Sequence, residues 1–284
     1  MTSHYLILLS FIFISLFLQA EELSSNNTDH KFEFSYNTQR SSDRYTQNSM
    51  GVRYLLNPTS DLSLILYTSR YKSLLTHRGS DLSFSFPSFE NQQTSLTMGA
   101  NRANDSLYST HLGMRHAFYF QSFSDYWGPS ELAFPIDFAQ HKDSISKLNL
   151  RQNSFGISWS QEIFSHFDYY IAYTKFNVNQ RNLSSLQNLY LNSMERSQYI
   201  HLESLLDHVI DLSVGWQFLE SQRLSLSATS MTPYNSQNLN QTLYSLGLDS
   251  QFSSHWRTGF SLSSLYSKED SPSRYFGISL FFNP

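Results

Sequence analysis

Apolar and polar residues alternate with a period of two along most of this chain. The clearest segment runs from residue 210 to 218, where Ile210, Leu212, Val214, Trp216 and Phe218 are separated by polar or small residues. Successive side chains of a β-strand point to opposite faces, so a period of two predicts strands. The same alternation occurs at 32–37, 50–56, 62–66, 82–86, 96–100, 112–120, 155–160, 170–178, 200–203, 224–228, 244–248, 256–263 and 276–282.

The two faces of these strands differ in chemistry. One row holds Leu, Ile, Phe, Val and Trp, and the opposite row holds mostly Ser, Gly, Asn and Gln with scattered charges. This division predicts a wall with hydrocarbon on one side and water on the other, built from strands long enough to cross a bilayer when tilted. Backbone groups in hydrocarbon must all be paired, so the strands must close into a barrel. A secreted β-sandwich also alternates, and it remains the competing fold.

The number of strands is less clear than their type. We count about 14 segments, and a closed single-chain barrel needs an even number, so 12 and 16 are also allowed. The stretch from Tyr119 to Gln152 contains Pro135, which removes a ladder donor, so it forms either two further strands or a long loop. Asn57 to Ser60 predicts a tight turn, and Asn179–Ser193 and Thr232–Gln241 predict loops.

The start of the chain predicts an export signal. Residues 5–18 are apolar except for Ser10 and Ser15, and Ala20 precedes a polar stretch. A short apolar run that ends in a small residue is typical of a secretory signal, here with cleavage after Ala20. The run is shorter than the roughly 20 residues of a spanning helix. We therefore divide the chain into a signal at 1–20, a polar lead at 21–30 and an all-β antiparallel transmembrane barrel at 31–284.

Composition excludes several other classes. Lysine and arginine number 19 against 23 acidic residues, with no basic stripe of the kind that binds nucleic acid. Aromatic residues make up 16% of the chain, while the mean hydropathy is only -0.38. A disordered chain would have few aromatic residues, and a helical membrane protein would be far more apolar. Cysteine is absent, so neither disulfides nor an N-terminal lipidated cysteine is possible.

The last strand carries a recognisable motif. Gly277 is followed by the apolar Leu280 and then the aromatic Phe282. This spacing resembles the C-terminal assembly signal of Gram-negative outer-membrane β-barrel proteins, although Tyr275 replaces the usual polar residue and Asn283-Pro284 extend beyond the aromatic position. The resemblance implies location in the outer membrane, contact with its lipid and insertion by the barrel-assembly machinery. It identifies no subfamily and leaves the oligomeric state open.

No motif predicts catalysis, a cofactor or a metal site. The His, Ser and Asn-Gly string of outer-membrane phospholipases is missing. Asp207-His208, an Asp-His pair of the kind used by outer-membrane proteases, is predicted to lie at a turn. His201 and Glu203 share a strand face, with Asp211 on the next strand, and such a set is one used for acid–base chemistry or metal binding. A polar network in the lumen explains these residues more simply.

Charged residues on the polar rows are candidates for lining the interior. They are Glu33, Arg53, Arg115, Glu162, His201, Glu203, Asp211, Arg223, Asp249 and Arg257. Their signs are mixed, which predicts a weakly selective porin-like channel for small polar solutes. Two alternatives stay open: a narrow or plugged barrel with a structural, adhesive or assembly-partner role, and a barrel enzyme acting on lipid or surface polymer.

Overall fold

The fold is taken from a computed structural model that describes residues 32–42, 45–71, 75–103, 107–122, 127–143, 148–164, 166–178, 206–233, 240–267 and 272–284. These residues form strands joined by turns and loops, with no helix long and apolar enough to span a membrane among them. The strands are β1 (Phe32–Ser41), β2 (Tyr45–Asn57), β3 (Ser60–Tyr71), β4 (Leu75–Phe89), β5 (Gln92–Ala103), β6 (Leu107–Phe120), β7 (Trp127–Asp143), β8 (Leu148–Ile163), β9 (Phe167–Val178), β10 (Leu206–Leu219), β11 (Gln222–Pro233), β12 (Gln241–Gln251), β13 (Trp256–Ser267) and β14 (Ser273–Phe282).

The strands form one closed antiparallel barrel. Each strand pairs with its neighbours in sequence, and β1 pairs with β14 through partners such as Tyr36 with Leu280 and Thr38 with Ile278. Closure leaves no unpaired sheet edge, which is what a spanning β-structure requires. The all-β class and the count of 14 strands predicted from the alternation are confirmed.

The two ends of the barrel have different connections. At one end, which we call the turn end, β1 begins, β14 ends, and residues 58–59, 90–91 and 220–221 make two-residue turns. The predicted turn after Asn57 is one of them, and the Asn57 side chain accepts hydrogen bonds from the backbone and hydroxyl of Thr59, both at 3.0 Å. The opposite end, the loop end, carries the longest connection, residues 179–205 between β9 and β10.

Pro135 lies inside β7, so the stretch left open by the sequence forms one further strand, β7, and the start of β8, whose later part was already predicted at 155–160. Pro135 pairs with Arg115 of β6, whereas the ladder to β8 is interrupted between Ala133 and Ile136. A side chain at Gly156 of β8 would come within 2.9 Å of the Pro135 ring. Glycine therefore gives the ring its space, and the missing N–H falls where the ladder is already broken.

Alternate residues of each strand form an outward row and an interior row. On β10, Leu212, Val214 and Trp216 lie on the outward row and are 47%, 52% and 45% exposed. Several aromatic side chains lie on the outward row near the turn end, where the Phe282 ring packs at a tilt against Trp256 with 4.6 Å between ring centroids. Phe32 and Tyr54 pack at 4.7 Å in the same region. Aromatic girdles of this kind mark the interface of membrane barrels.

Several predicted segments are not described by the structure. The export signal at 1–20, the polar lead at 21–30 and the loop Asn179–Ser193 lie outside the described residues, as does the alternating segment at 200–203. The loop predicted at Thr232–Gln241 is shorter than expected, because β11 extends to Pro233 and β12 already begins at Gln241.

Candidate functional site: the barrel interior

The interior row is the candidate functional surface. Register places eight of the predicted interior residues on it: Glu33, Arg53, Arg115, Glu162, Asp211, Arg223, Asp249 and Arg257. His201 and Glu203 lie outside the described residues, so their proposed proximity to Asp211 is not addressed. Asp211 instead accepts a hydrogen bond from Thr229 of β11 at 2.6 Å.

Ion pairs form in the turn-end half of the interior. Arg53 lies 2.9 Å from Asp61 and 3.9 Å from Glu33, joining the first three strands. The Arg53 side chain is still 48% exposed. Partly hydrated ion pairs contribute little to stability, about 0–1 kcal/mol. These residues therefore matter mainly as charges facing water.

Two further arginines are paired in the same way, and a third stacks. Arg115 contacts Glu131, and Arg223 contacts both oxygens of Asp168. Arg257 lies over the ring of Phe281 at 4.2 Å from the centroid. A guanidinium over an aromatic face is held by a cation–π attraction and keeps its positive charge available to solvent.

The interior row carries an excess of acidic residues. Its described side chains include four arginines, named above, and nine acids: Glu33, Asp61, Asp81, Glu131, Asp137, Glu162, Asp168, Asp211 and Asp249. The sequence analysis missed Asp61, Asp81, Glu131, Asp137 and Asp168. Asp61 and Asp168 lie next to turns, and Glu131 and Asp137 fall in the stretch left unassigned. Asp81 directly precedes the alternating segment at 82–86. The excess makes the described wall negative rather than balanced.

A polar group occupies the interior of β4 to β7. The side chains of Asp81 and His111 meet above Gly99 of the strand between them, with 3.6 Å between the carboxylate oxygen and Nε2. Asp137 lies over Gly113 in the same manner, its nearest oxygen 2.7 Å from where a Cβ would be. A larger residue at either glycine would collide with these side chains, so glycine makes the close packing of the group possible. The described residues contain no group of three or more His, Cys, Asp or Glu side chains placed to hold a metal ion.

The interior changes character towards the loop end. Six apolar side chains there form one buried cluster, which we call the apolar arc: Tyr45, Phe176, Leu206, Met231, Leu265 and Tyr275, each 5% exposed or less. The arc follows the inner wall from β9 to β14 and on to β2, with Val209 and Leu243 packed against it. The arc is therefore closed to solvent, whereas the turn-end arginines Arg53, Arg115 and Arg223 keep side chains that are 48%, 37% and 45% exposed.

Asp207 and His208 lie on β10 and not at a turn, so that prediction was wrong. The pair sits at a bulge between Leu206 and His208. His208 Nδ1 is 2.8 Å from Asp207, and its Nε2 is 3.1 Å from the hydroxyl of Thr232. The order hydroxyl, imidazole, carboxylate matches a nucleophile relay, but Thr232 is only 8% exposed and Lys175 also binds Asp207, at 2.5 Å. These hydrogen bonds connect the loop ends of β9, β10 and β11 to one another.

The C-terminal motif occupies the strand that closes the barrel. Gly277 faces the interior beneath Ser261, whose hydroxyl lies 2.5 Å from where a Cβ would be. Leu280 is outward and 38% exposed. Phe282 packs between Trp256 of β13 and Phe34 of β1. The motif thus contacts both strands that pair with β14, namely β13 and β1. Its role in assembly stays a prediction.

Comparison with solved structures gives the fold class. The CymD monoaromatic hydrocarbon channel matches with a TM-score of 0.55 and 10% identity, covering 89% of this chain and 88% of that one. The fold is that of an outer-membrane β-barrel. The Acinetobacter baumannii outer membrane protein Omp33 matches with a TM-score of 0.51 and 9% identity over 90% and 98% of the two chains. A bacterial polysaccharide outer membrane secretin matches at 0.50 and 10% identity over 91% and 100%.

Comparison at the level of sequence identifies no relative of this chain. No family model matches the chain. No curated protein sequence matches it significantly. At about one identical residue in ten, the structural likeness extends to the outer-membrane barrel fold alone. The function of this barrel therefore has to be argued from its own interior.

Proposed function

We propose that this protein is an outer-membrane channel for passive diffusion of small polar solutes, with a preference for cations over anions. The observation that carries the proposal is the excess of five carboxylates over arginines on the described interior wall. A ring or wall of one sign of charge favours counter-ions in a water-filled pore. The outer membrane of a Gram-negative bacterium is the location that this fold and the predicted export signal support.

The orientation follows from the two ends. Outer-membrane barrels have short turns on the periplasmic side and longer loops outside. The turn end would then open to the periplasm, where solvent-exposed charges line the wall, and the loop end would face the exterior. The motif of Gly277, Leu280 and Phe282 would direct insertion by the barrel-assembly machinery from the periplasmic side.

A second function is favoured by the apolar arc. Its residues are nearly excluded from solvent at the loop end, which supports a narrow or plugged barrel with a structural, adhesive or assembly-partner role. Conduction distinguishes the two proposals, because a channel must pass current in its resting folded state and a plugged barrel must not. The enzyme alternative has less support, because the hydroxyl of the Asp207-His208-Thr232 set is buried.

Charge substitutions test the preference for cations. Arg53→Gln with Arg257→Gln removes two positive charges from the interior, so we expect the reversal potential in a salt gradient to move further towards cations while conductance persists. Asp211→Asn with Asp249→Asn is the matched opposite change and should move it towards anions. Each charge acts through water, where a unit pair at 4 Å interacts by only about 1 kcal/mol, so both shifts should be modest.

The two double variants must move in opposite directions. A shift towards anions on removing the arginines would mean that these residues do not govern the pore. Identical reversal potentials for both variants and the wild type would place the selective region outside the described wall. Either result contradicts the proposed basis of selectivity. Folding of each variant is checked by its migration on a gel before and after boiling.

A further inference from the structure

Basic side chains encircle much of the outer wall near the loop end. Eight lie on the outward row, and each is exposed: Arg40, Arg70, Arg78, Arg102, Lys142, Arg151, Lys175 and Arg274. Each lies within four residues of the loop end of its strand. We call this set the basic rim. It runs from β14 through β1 to β9 and leaves β10 to β13 without lysine or arginine on their described outward rows.

The basic rim occurs at one end only. Near the turn end, the arginines of the described strands are Arg53, Arg115, Arg223 and Arg257, and all four lie on the interior row. On the outward rows of the described strands, the only acid in reach of the rim is Asp207, at the β10 bulge, where it pairs with Lys175. On the described outward rows, basic side chains therefore outnumber acids at the loop end.

Three arginines of the rim crowd one another on adjacent strands. Arg78 of β4 and Arg102 of β5 are directly opposite in the register. Arg70 of β3 is the diagonal neighbour of Arg78, because Thr68 is the direct partner of Arg78. Like charges directly opposite on a sheet are destabilising. An anion between these side chains would turn the repulsion into attraction, and the planar fork of arginine suits phosphate in particular.

We propose that the basic rim binds the phosphate groups of membrane lipids in the leaflet at the loop end. The outward row supplies the rest of a lipid site. Below Arg102 on β5 lie Met98 and Leu96, which are 56% and 41% exposed, and next to them Leu112 of β6 is 54% exposed. A molecule with a phosphate head and acyl chains would place its head at the arginines and its chains along these apolar residues. A soluble phosphate would contact the arginines but not the apolar residues.

The inference depends on membrane location and not on conduction. A barrel that passes no current could still bind lipid phosphate through the rim. Conversely, a conducting barrel with no lipid preference would leave the proposed channel function intact. Conductance measurements therefore test the channel proposal, and lipid-binding measurements test the proposal for the basic rim.

The test uses the refolded full barrel in neutral detergent and native mass spectrometry with lipid A. The substituted protein carries Arg70→Gln, Arg78→Gln and Arg102→Gln. The control carries Arg53→Gln, Arg223→Gln and Arg257→Gln, which remove the same charge from the interior. We expect wild type and control to bind phosphorylated lipid A, and the rim variant to lose about tenfold or more in affinity, since hydrogen bonds to charged groups are strong. Lipid A without its phosphates should bind weakly to all three.

Four results would overturn the proposal: undiminished binding by the rim variant, equal loss in the interior control, equal binding of dephosphorylated lipid A, or full displacement of lipid A by inorganic phosphate. The single variant Arg78→Gln keeps the test informative if the triple variant folds poorly. It removes the opposed pair, so it should fold in neutral detergent at least as well as wild type and still bind less phosphorylated lipid A. A single variant with unchanged lipid binding would count against the rim.

Discussion

Leu265→Ala should lower the free energy of unfolding by about 2–5 kcal/mol, the usual range for a large-to-small change at a buried site. Leu265 is 3% exposed and lies in the apolar arc beside Leu243 of β12. Removing its side chain leaves a cavity among packed neighbours, which adds to the lost burial. Urea or guanidinium unfolding of the refolded barrel, followed by tryptophan fluorescence, measures the change.

Ile65→Ala is the control on the same face of the barrel. Ile65 also lies on the interior row, but it is 42% exposed. We expect its replacement to cost about 1 kcal/mol or less, within the span of β-propensity differences. Comparable losses at the two sites would contradict the burial of the apolar arc relative to the rest of the interior row.

Val214→Arg should destabilise the barrel by about 2–4 kcal/mol, the cost of an arginine facing lipid near the bilayer midplane. Val214 is 52% exposed on the outward row, near the middle of β10, between Leu212 and Trp216. A guanidinium there has hydrocarbon around it and no water or anion within easy reach. Unfolding by denaturant in lipid vesicles gives the free energy difference.

Ser213→Arg is the neighbouring control. Ser213 faces the interior and pairs with Tyr170 of β9 and Ser227 of β11, so the new side chain lies between a tyrosine and a serine on the interior row and not in hydrocarbon. We expect a much smaller change in unfolding free energy. Equal penalties at 213 and 214 would mean that the two faces of β10 have been assigned the wrong way round.

The fold was largely predictable because alternation is a local signal. Leu212, Val214 and Trp216 identify a strand and its lipid face without knowledge of any partner. The stretch around Pro135 was not predictable in this way. Whether a strand tolerates proline depends on its neighbour, and here Gly156 of the next strand supplies the space. Pairing across strands is information that a period of two does not contain.

The interior was only partly predictable for two physical reasons. Asp61 and Asp168 lie at strand ends, where alternation is short and a carboxylate resembles a turn residue. Tyr45, Phe176 and Tyr275 are apolar, and the sequence cannot separate an apolar residue facing lipid from one buried inside the barrel. The mixed signs of the predicted charges therefore suggested weak selectivity, whereas the described wall has more acids than arginines.

The reversal potential of the wild-type protein in planar bilayers tests the central claim most directly. With a potassium chloride gradient across the bilayer, we predict discrete single-channel currents and a reversal potential on the cation side of zero. The acidic excess of the described interior wall is the reason. A reversal potential on the anion side would contradict the assigned charge of the pore. Folded protein that inserts and passes no current would contradict the channel itself and favour the plugged barrel.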